Sequence, residues 1–155
     1  ADLAGVLSYI RQSWGNKGGA VSADDVKNAR AAISGNAPSA ADLAKMTPVE
    51  RGHAVFQKYG CFQCHGPDGK GGVHNTNAKT AEQVPSLIYV ADGYTKDELK
   101  KFIMTGERDI PRMNLAGPEP PHFMPSWGSV ISSNELDDLP AFLFSLKPKG
   151  EKSDF

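Results

Sequence analysis

Three stretches, Thr47-Pro48-Val49-Glu50, Thr95-Lys96-Asp97-Glu98 and Ser132-Ser133-Asn134-Glu135, carry the hydroxyl-to-glutamate spacing of a helix capping box. Each runs into apolar residues recurring at helical spacing, while 16 glycines and 11 prolines cut the rest of the chain into short pieces. A chain punctuated this way can build only short helices joined by irregular loops. No stretch alternates as a strand, so the expected fold class is all-α.

From the first box, Val49, Gly52, Phe56 and Tyr59 draw one buried stripe, and Gly60 is a natural stop. The second helix turns Leu99, Phe102 and Ile103 inward and ends at Gly106. The third carries Leu136, Leu139, Leu143 and Leu146, with Pro140 inside the pattern. A proline in a regular helix interior costs about 3 kcal/mol, so a kink or a later effective start is expected there.

Residues 1–45 have a different character. Leu3, Val6, Leu7 and Ile10 form an apolar face, "GNKGG" ends it, and a short capped helix, "SADDVKNARAAI", leads to the linker-like "SGNAPSA". The stretch "DLAGVLSYI" from Asp2 aligns without a gap on "DLPAFLFSL" from Asp138, pairing Leu3 with Leu139, Val6 with Phe142, Leu7 with Leu143 and Ile10 with Leu146. Two readings stand: a partial internal repeat, or two unrelated amphipathic helices. The expected organisation is a helical extension and linker over 1–45 and one domain over 46–155.

Both cysteines of the chain lie in "KYGCFQCHGPDG", two residues apart, with a histidine directly after the second. Two cysteines in 155 residues cannot form a disulfide framework, so they serve local chemistry. A thioredoxin-like dithiol requires a strand before the pair and a helix after it. Here a helix precedes and a glycine-rich loop follows. Zinc requires four ligands, and there is no second cysteine pair, nor does the spacing of His53, His74 and His122 supply one. Cys-x-x-Cys-His is instead the signature of covalent haem attachment, with Cys61 and Cys64 as thioethers to the two vinyl groups and His65 swung under the iron.

At residues 46 to 147 the chain resembles the class I c-type cytochromes. The resemblance rests on "VERGHAVFQKYGCFQCH", "GPDGKGG", "VPSL", "TKDELKKFIMTG", "HFMPSWG" and the last helix. It implies a cytochrome c fold of three to five short helices around one covalent haem c, with Gly52 and Phe56 where the first and last helices cross. It also implies that the Pro85 carbonyl accepts a hydrogen bond from the His65 ring, that Leu87 packs on the haem, and that Trp127 lies near a propionate unless it is ordinary core. A ligating histidine requires such support.

Met46, Met104, Met113 and Met124 are the methionine candidates for the other side of the iron. Met104 reads as core filling, and the family pattern of a methionine followed by proline before the last helix selects Met124 in "FMPSWG". The rival is His122, which would lower the potential where a thioether raises it. His53 reads as a surface histidine and His74 as a loop residue.

A haem iron with two protein ligands, His65 and Met124, has no vacant position for substrate, so the expectation is one-electron transfer between redox partner proteins and not an enzyme of its own. Two alternatives remain, a haem enzyme or sensor with a displaceable sixth ligand, and a module or subunit of a periplasmic dehydrogenase or reductase. The family implies a bacterial periplasm. No apolar run approaches the roughly 18 residues of a membrane span, and Ala1 is not followed by the regions of a secretory leader, so any export signal has been removed or lies upstream. With 39% hydrophobic and 23% charged residues and net charge −1, neither disorder nor general nucleic-acid affinity is indicated. Between residues 48 and 80, Arg51, Lys58, Lys70 and Lys79 stand against Glu50 and Asp68, a mildly basic bias near the attachment loop.

Overall fold

A computed structural model describes residues 2–36 and 38–150. It divides into two compact units, with the break between Ala44 and Lys45. Among the described residues the regular elements are helical, with isolated bridges in place of strands. No helix among them is long and apolar enough to cross a membrane.

The first unit contains α1 (Leu3–Gln12) and α2 (Ala23–Asn36), and its end falls within α3 (Ala40–Lys45). Asp2 caps α1 by accepting from the Gly5 amide at 3.0 Å. The loop after α1 is tied back to it: the Gly18 amide donates to Arg11 O at 2.8 Å, and the Ser8 hydroxyl and Val21 backbone bond to each other at 2.8–3.2 Å. On the apolar face, Leu3, Val6 and Ile10 remain exposed and Leu7 is half-buried. The linker expected over "SGNAPSA" is shorter than its composition suggests, because α2 runs on to Asn36 and α3 begins at Ala40. Ala37, within that stretch, lies outside the described residues.

The second unit contains α4 (Pro48–Lys58), α5 (Phe62–His65), α6 (Val90–Gly93), α7 (Lys96–Thr105) and α8 (Ser133–Ser145). The boxes at the starts of α4 and α7 close as expected: Thr47 and Thr95 accept from the amides of Glu50 and Glu98, whose carboxylates reach back to the capping amides at 2.7 and 2.8 Å. Each cap stabilises its helix by about 1 kcal/mol.

These helices surround one core of Val55, Phe56, Leu99, Ile103, Ile131, Leu136, Leu139, Phe142 and Leu143. On α4 the stripe is rotated from expectation: Val49 is exposed and Val55 buried. Residue 49 sits in the first turn, ahead of the point where α8 crosses. At the crossing Gly52 lies so close to α8 that a β-carbon there would stand 2.3 Å from Asp138 O and 2.8 Å from Phe142 Cβ. The Phe56 and Phe142 rings pack beside it at 5.3 Å.

Contrary to the expectation of a later start, α8 begins at Ser133 and continues through Pro140 to Ser145. Pro140 is itself fully buried, flanked by buried Leu136, Leu139, Phe142 and Leu143. Burial of those four side chains, about 1.5–3 kcal/mol each, outweighs the roughly 3 kcal/mol cost of the proline.

Ion pairs lace α8 to the other helices. Arg51 makes a two-pronged pair with Asp138 at 2.7 and 2.8 Å and donates to Met46 O at 2.6 Å. Lys100 reaches Asp137 at 2.6 Å, and Lys147 pairs with Asp92. Lys58 donates to Glu135 at 2.6 Å, and Lys70 lies 4.0 Å from Asp68. Of the four cations read between residues 48 and 80, Arg51 and Lys58 are therefore met by carboxylates distant in sequence.

Glu135 is a junction: besides Lys58 it accepts from the Tyr59 hydroxyl at 3.0 Å and the Ser132 amide at 3.1 Å. Burial pushes its carboxyl up, but the bonds from Lys58, Ser132 and Tyr59 prevail and hold its pKa at about 2. A carboxylate depressed in the folded state stabilises it fully above the ordinary value near 4.5, and the contribution is lost as pH falls toward 2. Unscreened, such a shift is worth about 3 kcal/mol; solvent at this junction reduces it to about 1 kcal/mol. Glu135→Gln should therefore lower the urea midpoint at pH 7, and the gap to the parent should close between pH 4.5 and 2. A gap of constant size across that range would show that the charge of Glu135 has no part in it.

Candidate functional site

The Cys-x-x-Cys-His stretch is itself a helical turn. α4 ends at Lys58, the Cys61 amide donates back to Phe56 O at 3.1 Å, and the Cys64 and His65 amides both return to Cys61 O at 3.3 and 3.0 Å. Residues three and four apart on a helix share a face, so Cys61, Cys64 and His65 are presented together. Both thiols are free. Cys61 is half-buried against the core, which pushes its thiol pKa up to about 11, and Cys64 is exposed. Cys61 is thus a poor thiolate, unlike the activated thiol of a dithiol oxidoreductase.

The loop after the turn brings a distant segment to the histidine. The Leu87 amide donates to Gly69 O at 2.7 Å and the Ser86 hydroxyl to the same oxygen at 3.3 Å, which sets Pro85 beside His65. Nδ1 of His65 lies 3.0 Å from Pro85 O. A carbonyl can only accept, so Nδ1 carries the proton and the lone pair of the neutral ring is on Nε2. Burial of the ring holds its pKa below the ordinary histidine range, against the opposing pull of the Pro85 carbonyl. Neutral imidazole with a fixed tautomer is the form that coordinates a metal.

Met124 reaches the same core from the other side of the sequence. Its amide donates to Glu107 O at 3.0 Å and its carbonyl accepts from Glu107 N at 2.8 Å. Gly106, at φ 69°, ends α7 in the left-handed region, where a β-carbon would meet Met124 O at 2.5 Å. The following residues satisfy the unpaired carbonyls at the end of α7: Trp127 N donates to Ile103 O at 3.1 Å, Gly128 N to Met104 O at 3.2 Å, and the Ser126 hydroxyl to Met104 O at 2.6 Å. The segment "MPSWG" is thereby fixed to α7.

Cys61, Phe62, Leu87, Val90, Met124 and Trp127 are all half-buried and packed against the one core. Trp127 also meets Tyr59 edge-on at 5.9 Å. The rivals to Met124 lie differently. Met113 is 62% exposed, and Met104, expected to fill the core, is 45% exposed because it falls on the outer face of α7. Met46 is half-buried before α4, and His122 is exposed. His53 is exposed as expected, with its ring 4.8 Å from that of Phe142, and exposed His74 lies 3.1 Å from the Thr76 hydroxyl.

Sequence reasoning missed two buried asparagines, Asn75 and Asn77. Asn75 bonds the backbone of His122 twice, Nδ2 donating to its carbonyl at 2.9 Å and Oδ1 accepting from its amide at 3.0 Å. Asn77, at φ 63°, bonds the backbone of Asn114 in the same manner, and its Nδ2 also donates to Pro118 O at 2.7 Å. The clustered "HNTN" and asparagine's tolerance of left-handed backbone could have marked a turn, but nothing local points to partners 37 to 47 residues away.

These residues fit a covalent haem. The two free thiols and an imidazole lone pair share one helical face, and the half-buried side chains packed on the same core as Cys61 include apolar residues and the Met124 thioether. Among the described residues no group of three or more His, Cys, Asp or Glu side chains could hold a metal ion, so the turn lacks companions for a zinc shell. A family model for cytochrome c matches residues 49–147. Searches of curated proteins and of solved structures return no match.

Proposed function

The chain belongs to the cytochrome c family, and from that premise we propose that it carries single electrons on one haem c held by Cys61 and Cys64, with His65 and Met124 as the axial ligands. When bound, the group supplies the ferric/ferrous couple. What the chain supplies is support: the Pro85 carbonyl keeps the His65 proton on Nδ1, and Leu87, Val90, Met124 and Trp127 pack half-buried on the same core as Cys61. A thioether opposite imidazole favours the ferrous form and raises the potential. Were His65 and Met124 both to hold the iron, no position would be left on it for substrate, which would suit a carrier between redox proteins. Attachment to the two thiols takes place outside the cytoplasm in this family, which supports a periplasmic setting.

The observation that carries this reading is the single helical turn presenting Cys61, Cys64 and His65 with the ring tautomer set for coordination. Intact mass combined with a pyridine haemochrome spectrum tests it. One covalent haem per chain is expected, lost in the Cys61→Ser/Cys64→Ser double variant; a protein without covalent haem when made by a host competent in attachment overturns it.

A second reading, a module or subunit of a dehydrogenase or reductase, is favoured by the separate N-terminal unit. Its helix α1 repeats the apolar spacing of α8 yet leaves Leu3, Val6 and Ile10 exposed. The electron-carrying chemistry is the same in both readings; the partner differs.

A further inference from the structure

We propose that Asn75 is a positioning residue for the sixth iron ligand: by clasping the backbone of His122 it fixes the loop that delivers Met124. The inference rests on the reading of Met124 as that ligand.

Between α7 and α8 the chain makes a long excursion rich in proline, including Pro111, Pro118, Pro120, Pro121 and Pro125. Proline has no amide hydrogen, so such a segment can form few backbone bonds of its own and must be held from outside. After Met124 it is held by α7, through Ser126, Trp127 and Gly128. Before Met124 it is held by the loop 73–84. That loop is closed on itself, with Val84 N donating to Val73 O at 2.8 Å and Asn75 N to Glu82 O at 2.7 Å. Asn75 is only 3% exposed, and its backbone carbonyl accepts from Ala78 N at 3.1 Å. Both its side-chain atoms are then committed to His122, two residues before Met124.

A primary amide bonding both the N–H and the C=O of one residue imitates a neighbouring strand. It fixes position and rotation of that peptide together. Asn77 grips the same excursion at Asn114 and Pro118, six or more residues upstream of Met124. The two asparagines therefore divide the work: Asn77 anchors the body of the loop and Asn75 its delivery end. A thioether is a weak neutral ligand, so its retention on iron depends on how little the loop can withdraw.

The test compares Asn75→Leu, Asn77→Leu and Met124→Ala with the parent, each as purified holoprotein. The readouts are urea midpoint, the far-red ferric absorption of iron–thioether ligation, and the rate of carbon monoxide binding to the ferrous form. Asn75→Leu should keep its covalent haem, weaken the far-red band and bind carbon monoxide roughly tenfold faster or more, from loss of both tethers. Asn77→Leu should lower the urea midpoint comparably and leave the band and the rate near those of the parent. Asn75→Ser, which retains a hydroxyl near His122, should show a smaller effect of the same sign and serves if the leucine variant does not fold. Parent-like band and rate in the folded Asn75 variants, with the band lost in Met124→Ala, would overturn the role of Asn75 while Met124 stands as ligand. A parent that matches Met124→Ala in band and rate would instead overturn the ligand reading and this inference with it.

Discussion

Gly52→Val should unfold the second unit at temperatures where the parent is native, and Gly52→Ala should already cost about 3 kcal/mol, a fall of roughly 2 M in urea midpoint for a domain of this size. On an exposed helix face the alanine change would go the other way, gaining about 1 kcal/mol from helix propensity. At this position the new β-carbon would stand 2.3 Å from Asp138 O and 2.8 Å from Phe142 Cβ. The first obstacle is backbone inside α8 and cannot rotate away. Relief requires α4 and α8 to separate, which opens the Phe56–Phe142 contact and strains the Arg51–Asp138 pair beside it. Steric cost therefore exceeds propensity gain, and the two γ-methyls of valine enlarge the difference. Thermal melts of the holoproteins followed by helical circular dichroism measure it; an alanine variant melting at or above the parent would show that the crossing is looser than described.

Much of this fold was legible because its signals are local. A capping box needs four adjacent residues, so the starts of α4, α7 and α8 are written where they occur. Apolar spacing then identified Leu99, Ile103, Leu136, Leu139 and Leu143, each of which is buried. The errors arise where a neighbouring helix decides. Val49 and Val55 both suit the face of α4, and only the crossing with α8 selects Val55. Pro140 is unfavourable on local grounds, and the burial of Leu136, Leu139, Phe142 and Leu143 around it offsets that cost in a helix that continues through it. Met104 looked like core filling because methionine commonly is, but its place on α7 turns it outward.

The candidate site divides along the same line. Cys61, Cys64 and His65 are contiguous, so the sequence presents them as one motif. Pro85 came from family resemblance alone; the bonds from Ser86 and Leu87 to Gly69 O supply the physical cause of its approach to His65. Asn75 and Asn77 were invisible, since a polar residue in a loop is ordinarily solvated and their burial depends on partners far along the chain. The charge bias near the attachment loop was incomplete for the converse reason: Arg51 and Lys58 meet carboxylates 87 and 77 residues away.

Met124→Ala is expected to leave one covalent haem in place and change everything that depends on the sixth ligand. The far-red band should vanish, carbon monoxide should bind the ferrous form rapidly, and the potential should fall by on the order of 0.1 V, within the roughly 0.8 V range that axial ligands govern. The expectation is specific to this methionine. Met124 packs against the core with both its backbone groups bonded to Glu107, whereas Met113 and Met104 are 62% and 45% exposed. Alanine at either of those positions should leave all three readouts near the parent values. His122→Ala separates the remaining rival, because the clasp of Asn75 uses only the His122 backbone, which alanine retains. If His122→Ala abolishes parent ligation while Met124→Ala preserves it, the site is bis-histidine and the chain a low-potential carrier. If Met124→Ala alone does so, the loop gripped by Asn75 and α7 exists to hold one sulfur atom still.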